Sequence, residues 1–308
     1  MAAWRSEFRP SRVPLFAAGR PLAREASGLD PLPSVISGSL RASKLDAGGR
    51  PDTVATHCRT LNGLTLAEHT NRVALVTGAS RGVGASTALL LAARGYDIVV
   101  NYHSKRSRAE EIASSVRALG RRALVGQADL TIGSEVASMV ESVRVEFHHI
   151  NVLILNASGG LEKGKPPDYA MRLNLEAQVR VVDCSLPLMP SGSRIVFVTS
   201  HMAHFYAAKG MTGPYEPVAA SKYAGEQALL ARRWEFVKLG LGLVVVSGDM
   251  IEGTITPRLL ERMDRGMTRA RREQVGALPT VEEFARAITD AATSAEPANS
   301  TIFVGNKD

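Results

Sequence analysis

From Asn71 onward the chain alternates between short unbroken apolar runs and longer stretches whose apolar residues return every three or four positions. The runs are RVALVTGAS (72–80), DIVVNY (97–102), RALVGQADL (122–130), NVLILNAS (151–158), RIVFVTS (194–200), LGLVVVSG (241–248) and STIFVG (300–305). Short, β-branched and unbroken runs of this kind predict strands buried on both faces. Between them, GASTALLLAARG (84–95) reads as a helix stopped by Gly95. In AEEIASSVRALG (109–120), Ile112, Val116 and Leu119 share one helical face and Gly120 closes it. Further helical patterns cover 133–147, 168–189, 216–239 and 280–295. The alternation predicts an α/β fold: a single doubly wound Rossmann-type domain, with a parallel sheet of about seven strands and helices on both faces.

Residues 1–70 break this pattern. They mix Arg, Ala, Ser, Pro and Gly without a sustained apolar period, which predicts a disordered N-terminal extension ahead of a domain over 71–308. The segment lacks the apolar centre of a secretory signal. Its Arg and Ser content resembles an organelle import sequence; the simpler expectation is an upstream extension on a cytoplasmic protein. No apolar run reaches the ~18–20 residues that cross a bilayer.

Charge and cysteine content narrow the partners. The net charge is +7, and residues 1–70 carry nine Lys/Arg against six Asp/Glu, so the domain itself is only mildly basic. No lysine run or aromatic–basic interleaving points to nucleic acid, whereas a mild positive balance suits anionic small molecules. The two cysteines, Cys58 and Cys184, have no CxxC spacing and no HExxH occurs, so no metal site is expected.

The first strand turns into the first helix through VTGASRGVGAS (76–86). Glycines at 78, 82 and 84 would let backbone approach a pyrophosphate, and a helix N-terminus supplies N–H donors there. This TGxxxGxG spacing resembles the short-chain dehydrogenase/reductase family, and further stretches match it in order. The resemblance implies a cradle of Thr77, Gly78, Ser80, Arg81, Gly82, Val83 and Gly84. ADL (128–130) is similar to the family's adenine contact and implies Asp129 and Leu130. LNASGG (155–160) resembles the family's NNAG element and implies Asn156 and Ala157. RLNLEA (172–177) implies Asn174 as the active-site asparagine holding a water. RIVFVTS implies Ser200 as the catalytic serine, and AASK (219–222) implies Lys222, which orients the nicotinamide ribose.

Cofactor choice can be argued physically. An acid at the end of the second strand would favour NAD; here VVNYHSKR (99–106) offers Asn101 and no acid, with Lys105 and Arg106 following and Arg81 in the glycine loop. Cations there favour a 2′-phosphate, so the expected cofactor is NADPH.

In most of the family a tyrosine precedes the lysine by four residues. Here that position is Val218, which carries no proton. Tyr223 is adjacent to Lys222 and points about 100° away around a helix. Tyr215, seven residues before Lys222, shares its face, and Pro217 favours a helix starting there. YEPVAASK (215–222) resembles the Tyr-x6-Lys motif of NADPH-dependent bacterial enoyl-acyl-carrier-protein reductases that keep TGxxxGxG; Tyr206 and SGDM (247–250) also match that type. The resemblance implies a reductase acting on a carbonyl or a conjugated enoyl group. Tyr215 would be the acid, made more acidic by the neighbouring ammonium, and Ser200 a second donor. A catalytically silent NADP-binding regulatory or scaffold protein is the alternative. The 15-residue step from Ser200 to Tyr215 is longer than in that type and the Asn156–Asn174 interval shorter, so the substrate stays open between a small molecule and a carried thioester. The stretch 256–279 would be a lid, with Arg258, Arg262, Arg265, Arg269, Arg271 and Arg272 making it basic. The family implies a homodimer or homotetramer.

Overall fold

The computed structural model of the chain describes residues 71–210, 213–294 and 300–307; the extension expected over 1–70 lies outside the described residues. Seven strands, β1 (Arg72–Val76), β2 (Tyr96–Tyr102), β3 (Ala123–Gln127), β4 (Val152–Leu155), β5 (Arg194–Ser200), β6 (Gly242–Gly248) and β7 (Thr301–Val304), form one parallel sheet. Their order is β3-β2-β1-β4-β5-β6-β7. Six lie within the predicted runs, and β2 starts one residue before its run, at Tyr96.

The runs are unbroken because both faces of the sheet are covered. Alternate residues serve opposite cores. Val73, Leu75, Leu153, Leu155, Ile195 and Phe197 point to one, beneath α3 (Gly133–Phe147), α5 (Ala177–Ser185) and α8 (Glu216–Ala231). Ala74, Val76, Ile154, Val196, Val244 and Val246 point to the other, beneath α1 (Gly82–Ala93), α2 (Arg106–Ala118) and α12 (Val281–Thr293). Full burial of each Val, Leu or Ile contributes about 1.5–3 kcal/mol, so a polar residue inside such a strand needs compensation. Asp97 in β2 has it: Arg121 and Arg122 reach its carboxylate at 2.7 and 2.8 Å.

Two expected helices are interrupted. The pattern over 168–189 becomes α4 (Tyr169–Met171), a π-helical turn (Arg172–Glu176), α5 and a 3-10 turn (Leu186–Leu188). α8 packs on the π turn so tightly that a Cβ at Gly225 would overlap the Asn174 carbonyl. The pattern over 216–239 divides at Arg232 into α8 and α9 (Arg233–Lys238). Between β5 and α8 stand two single turns, α6 (His201–His204) and α7 (Tyr206–Lys209). The predicted lid folds as α10 (Ile255–Met263) and α11 (Met267–Val275), separated at Gly266. No described helix is long and apolar enough to cross a membrane.

The strand order reverses between β1 and β4. Outside the carboxyl ends of two such strands the connecting loops diverge and leave a crevice. That crevice holds the site.

Candidate active site

A cavity of about 1360 Å³ runs from the β1–α1 loop to the α10–α11 segment. Its floor is set by side chains that spend themselves on backbone. Thr77 Oγ1 donates to the Ile154 carbonyl at 3.0 Å and accepts the N–H groups of Asn156 and Ala157 at 2.9 and 3.0 Å. Asn156 Nδ2 returns a bond to the Thr77 carbonyl at 2.9 Å. Asn101 Oδ1 accepts the Gly78 N–H at 3.0 Å, and its Nδ2 donates to the Gly126 carbonyl. The ends of β1, β2 and β4 are thereby pinned to one another. Thr77 is wholly buried beneath the loop and does not line the cavity, whereas Gly78, Ser80, Arg81, Gly82, Val83 and Gly84 do. Asn101, Asn156 and Ala157 also line it, the two amides acting chiefly as braces.

The loop needs glycine for two different reasons. Gly82 has φ +55°, a left-handed conformation with open space around it. A Cβ on Gly84 would sit 2.5 Å from the Gly78 carbonyl oxygen, so there the constraint is close packing. Helix α1 begins with no side-chain cap and no acid in its first turn, leaving its N–H groups and positive dipole end to the cavity.

Next to the loop a cationic corner collects Arg81, His103, Lys105 and Arg108. Arg106, expected here, instead pairs with Glu110 on its own helix, 3.3 Å away. Arg108 takes the place; its position one turn after Lys105 in HSKRSR (103–108) was the available sign. Asp129 and Leu130, expected at an adenine contact, line the cavity. Burial raises the Asp129 pKa, but two hydrogen bonds from Thr131 and the charges of His103 and Lys165 outweigh it, so the carboxyl is held below its ordinary value.

At the other end of the cavity, β5 delivers Ser200. Its Oγ caps α6 by accepting the Ala203 N–H and lies 3.1 Å from the Tyr215 hydroxyl. Tyr215 is the N-cap residue of α8: its carbonyl accepts the N–H groups of Val218 and Ala219, and Pro217 occupies the first turn. Tyr215 is buried yet lines the cavity, as do Val218 and Lys222. Burial pushes the Tyr215 phenol up and the Ser200 hydrogen bond opposes it. The upward direction reverses the shift expected from a nearby ammonium, because the phenolate would lose its water. Burial lowers the Lys222 pKa to about 8, with the Glu226 carboxylate opposing. Tyr223 and Tyr206 pack near each other, with ring centroids 6.1 Å apart, and neither lines the cavity.

Asn174 is brought close but not in. It is buried in the π turn, where its Nδ2 donates to the Gly159 carbonyl at 2.8 Å and Ser221 Oγ at 3.0 Å, and its Oδ1 accepts the Gly159 N–H. Its side chain positions the loop after β4 and does not line the cavity. The lid is less basic than its arginine count implies. Arg271 grips Asp249 through two bonds of 3.0 and 2.9 Å, Arg272 pairs with Glu252, and Arg269 with Glu273. Of the six arginines only Arg258 and Arg271 line the cavity.

The chain is similar to known proteins in sequence and in fold. A hydroxynaphthalene reductase of Aspergillus fumigatus is 32% identical over 148 residues, 46% of this chain and 54% of that protein. A 3-oxoacyl-[acyl-carrier-protein] reductase of Staphylococcus epidermidis is 38% identical over 116 residues, 38% of this chain and 46% of its own. The chain thus spans about half the length of the curated relatives it matches. Among solved structures, a blue fluorescent protein from a metagenomic library in complex with NADPH is 28% identical with a TM-score of 0.63, covering 75% of this chain and 95% of that one. The family model for short chain dehydrogenases matches residues 72–260, from the start of β1 into α10 and through every element that builds the cavity floor. With more than half of its 308 residues inside that match, the chain belongs to the short-chain dehydrogenase family.

Proposed function

We propose that the chain is an NADPH-dependent reductase that adds hydride to the carbonyl carbon of an apolar small-molecule ketone, with Tyr215 as the acid. The observation that carries this reading is the 3.1 Å contact between the Tyr215 and Ser200 hydroxyls in a cavity that Lys222 also lines. A displaced tyrosine with no partner would favour a silent protein; this one meets a second donor.

The residues present fit a phosphorylated dinucleotide. The uncapped start of α1 suits a pyrophosphate, and Arg81, Lys105 and Arg108 suit a 2′-phosphate with no acid at the end of β2 to repel it. The NADPH found with the metagenomic relative supports the same choice. When bound, that cofactor would supply the hydride.

The chain's own groups do the remaining work. Tyr215 keeps its proton at neutral pH because burial raises its pKa, so it can give that proton to the carbonyl oxygen as negative charge develops there. Ser200 Oγ supplies a second hydrogen bond to the same oxygen. Lys222, charged below about pH 8, orients the ribose and adds positive potential. Asn174 acts indirectly, by fixing Gly159 in the cavity wall. The product is an alcohol: hydride on carbon, the Tyr215 proton on oxygen, and the phenol recharged from solvent. Leu161, Met202, Met250, Leu259 and Met267 make the substrate half apolar, which favours a hydrocarbon-rich ketone. The relatives named for hydroxynaphthalene and 3-oxoacyl reduction support a carbonyl as the acceptor.

The seven-residue step from Tyr215 to Lys222 favours a second reading, reduction of a C=C bond conjugated to a carbonyl, including a carried thioester. NADPH consumption with paired ketones and enones separates the two by product. No consumption with either class, alongside intact NADPH binding, would favour the silent protein.

A further inference from the structure

One ionisable group behind the site takes no part in that chemistry. Glu226 lies one turn after Lys222 on α8 and is only 1% exposed. Residues four apart on a helix share a face with Cβ atoms about 5–6 Å apart. One Glu226 oxygen, Oε1, is 2.6 Å from His204 Nδ1; the other, Oε2, is buried without a hydrogen-bond partner. An isolated carboxylate in such a place is costly, and it persists when an opposite charge and a hydrogen bond compensate it. His204 cannot turn freely away. Its ring stands edge-on to Phe205 and Phe303, with centroids 4.9 and 5.1 Å away, and those two rings stack on each other.

We propose that Glu226 is a positioning residue: held by His204, its carboxylate keeps the Lys222 side chain charged from behind, on the side away from substrate. His204 bonds Glu226, and Glu226 acts on Lys222, one turn earlier in the cavity wall, through charge rather than a hydrogen bond. The carboxyl's own pKa is raised by burial, with His204 and Lys222 opposing, which makes the His204 bond the condition for a charged Glu226. The charges that face this group are few. Lys222 acts from α8 and His204 from α6; beyond them stands His201, which Asp249, Arg271 and His204 influence. On the side of α8 that meets the π turn stand the neutral Asn174 and Ser221. The inference rests on the functional reading above only for its consequence, since the charge on Lys222 is a property of the chain.

The test is competitive acetylation of Lys222 by acetic anhydride, followed by mass spectrometry between about pH 6 and pH 10, since only the neutral amine reacts. Removing an opposite charge at this range shifts a pKa by about one unit or more, so Glu226→Gln is expected to raise Lys222 labelling near neutral pH about tenfold. His204→Phe, which removes the donor, is expected to act in the same direction and serves if the first variant does not fold. His204→Gln, which keeps an N–H toward the carboxylate, is expected to restore most of the protection. Labelling curves for Glu226→Gln and His204→Phe that superimpose on the unmodified chain overturn the inference. NADPH binding adds a second readout: the affinity of Glu226→Gln is expected to fall more at alkaline than at acidic pH. An equal loss at both would assign Glu226 a purely structural role and also overturn the inference. A chain that binds no NADPH at any pH, yet shows the shifted labelling, sinks the functional reading and leaves this one standing.

Discussion

The two ends of the cavity are built on different principles. At the β1–α1 end the proposed recognition belongs to backbone: the open N-terminus of α1, glycines that keep side chains out, and Thr77, Asn101 and Asn156 holding the main chain in place. At the β5–α8 end it belongs to side chains: two hydroxyls and an ammonium, delivered by a strand terminus and a helix start. The lesson concerns how each end fails. The first should suffer from atoms added, the second from atoms removed.

The largest expected effect is at the side-chain end. Tyr215→Phe removes one oxygen and is expected to lower turnover by roughly 10²–10⁴-fold, the usual contribution of a positioned acid. NADPH affinity, measured by fluorescence titration, is expected to stay within about twofold. Activity near the starting level would break the comparison, because the acid would then be elsewhere. Next comes an addition at the backbone end. A Cβ at Gly84 must displace the Gly78 carbonyl, so Gly84→Ala is expected to weaken NADPH binding by more than about tenfold, or about 1.4 kcal/mol. A Gly84→Ala chain that binds NADPH normally would show that the close approach there is not needed.

The pH profile tests the side-chain end through its ammonium. Lys222 is protonated below about pH 8 and loses its charge as pH rises through that value. Turnover is therefore expected to hold on the acid side of about pH 8 and to decline above it, approaching tenfold per unit. A rate that stays flat well above that pH would remove Lys222's charge from the mechanism. The smallest effect is expected from truncation at the backbone end. Arg108→Ala removes an exposed cation from a corner with several, and should reduce the preference for NADPH over NADH by only about three- to tenfold. A loss as large as that from Tyr215→Phe would erase the distinction between the two ends.

Much of the molecule is legible in the sequence for a physical reason. A strand buried on both faces must be apolar throughout, so RVALV or RIVFV has few alternatives. The glycine loop is legible because only glycine meets its steric demands. The place of Tyr215 at the start of α8 and in the cavity lining is legible by spacing and by Pro217. What stays hidden is where polar side chains spend their hydrogen bonds. Thr77 and Asn174 match the family pattern, yet neither lines the cavity, because their side chains are used to hold backbone. The π turn leaves no mark in propensity, and the lid arginines look free until Asp249 and Glu252 are folded against them. The His204–Glu226 contact joins residues 22 apart through α6, a single turn that periodicity is too short to register.

The π turn has a mechanical consequence. Asn174 bonds both to Gly159 in the cavity wall and to Ser221 beside Lys222, and Gly225 seals α8 against the same turn. The wall and the lysine helix are therefore tied to each other through one side chain and one close backbone contact. The opposite wall, α10 and α11, is fastened instead by ion pairs such as Arg271–Asp249 and Arg272–Glu252, and is the one expected to yield first. Hydrogen exchange should run faster along 255–275 than along 216–231, and raised salt should widen that gap by loosening the fastening of one wall alone.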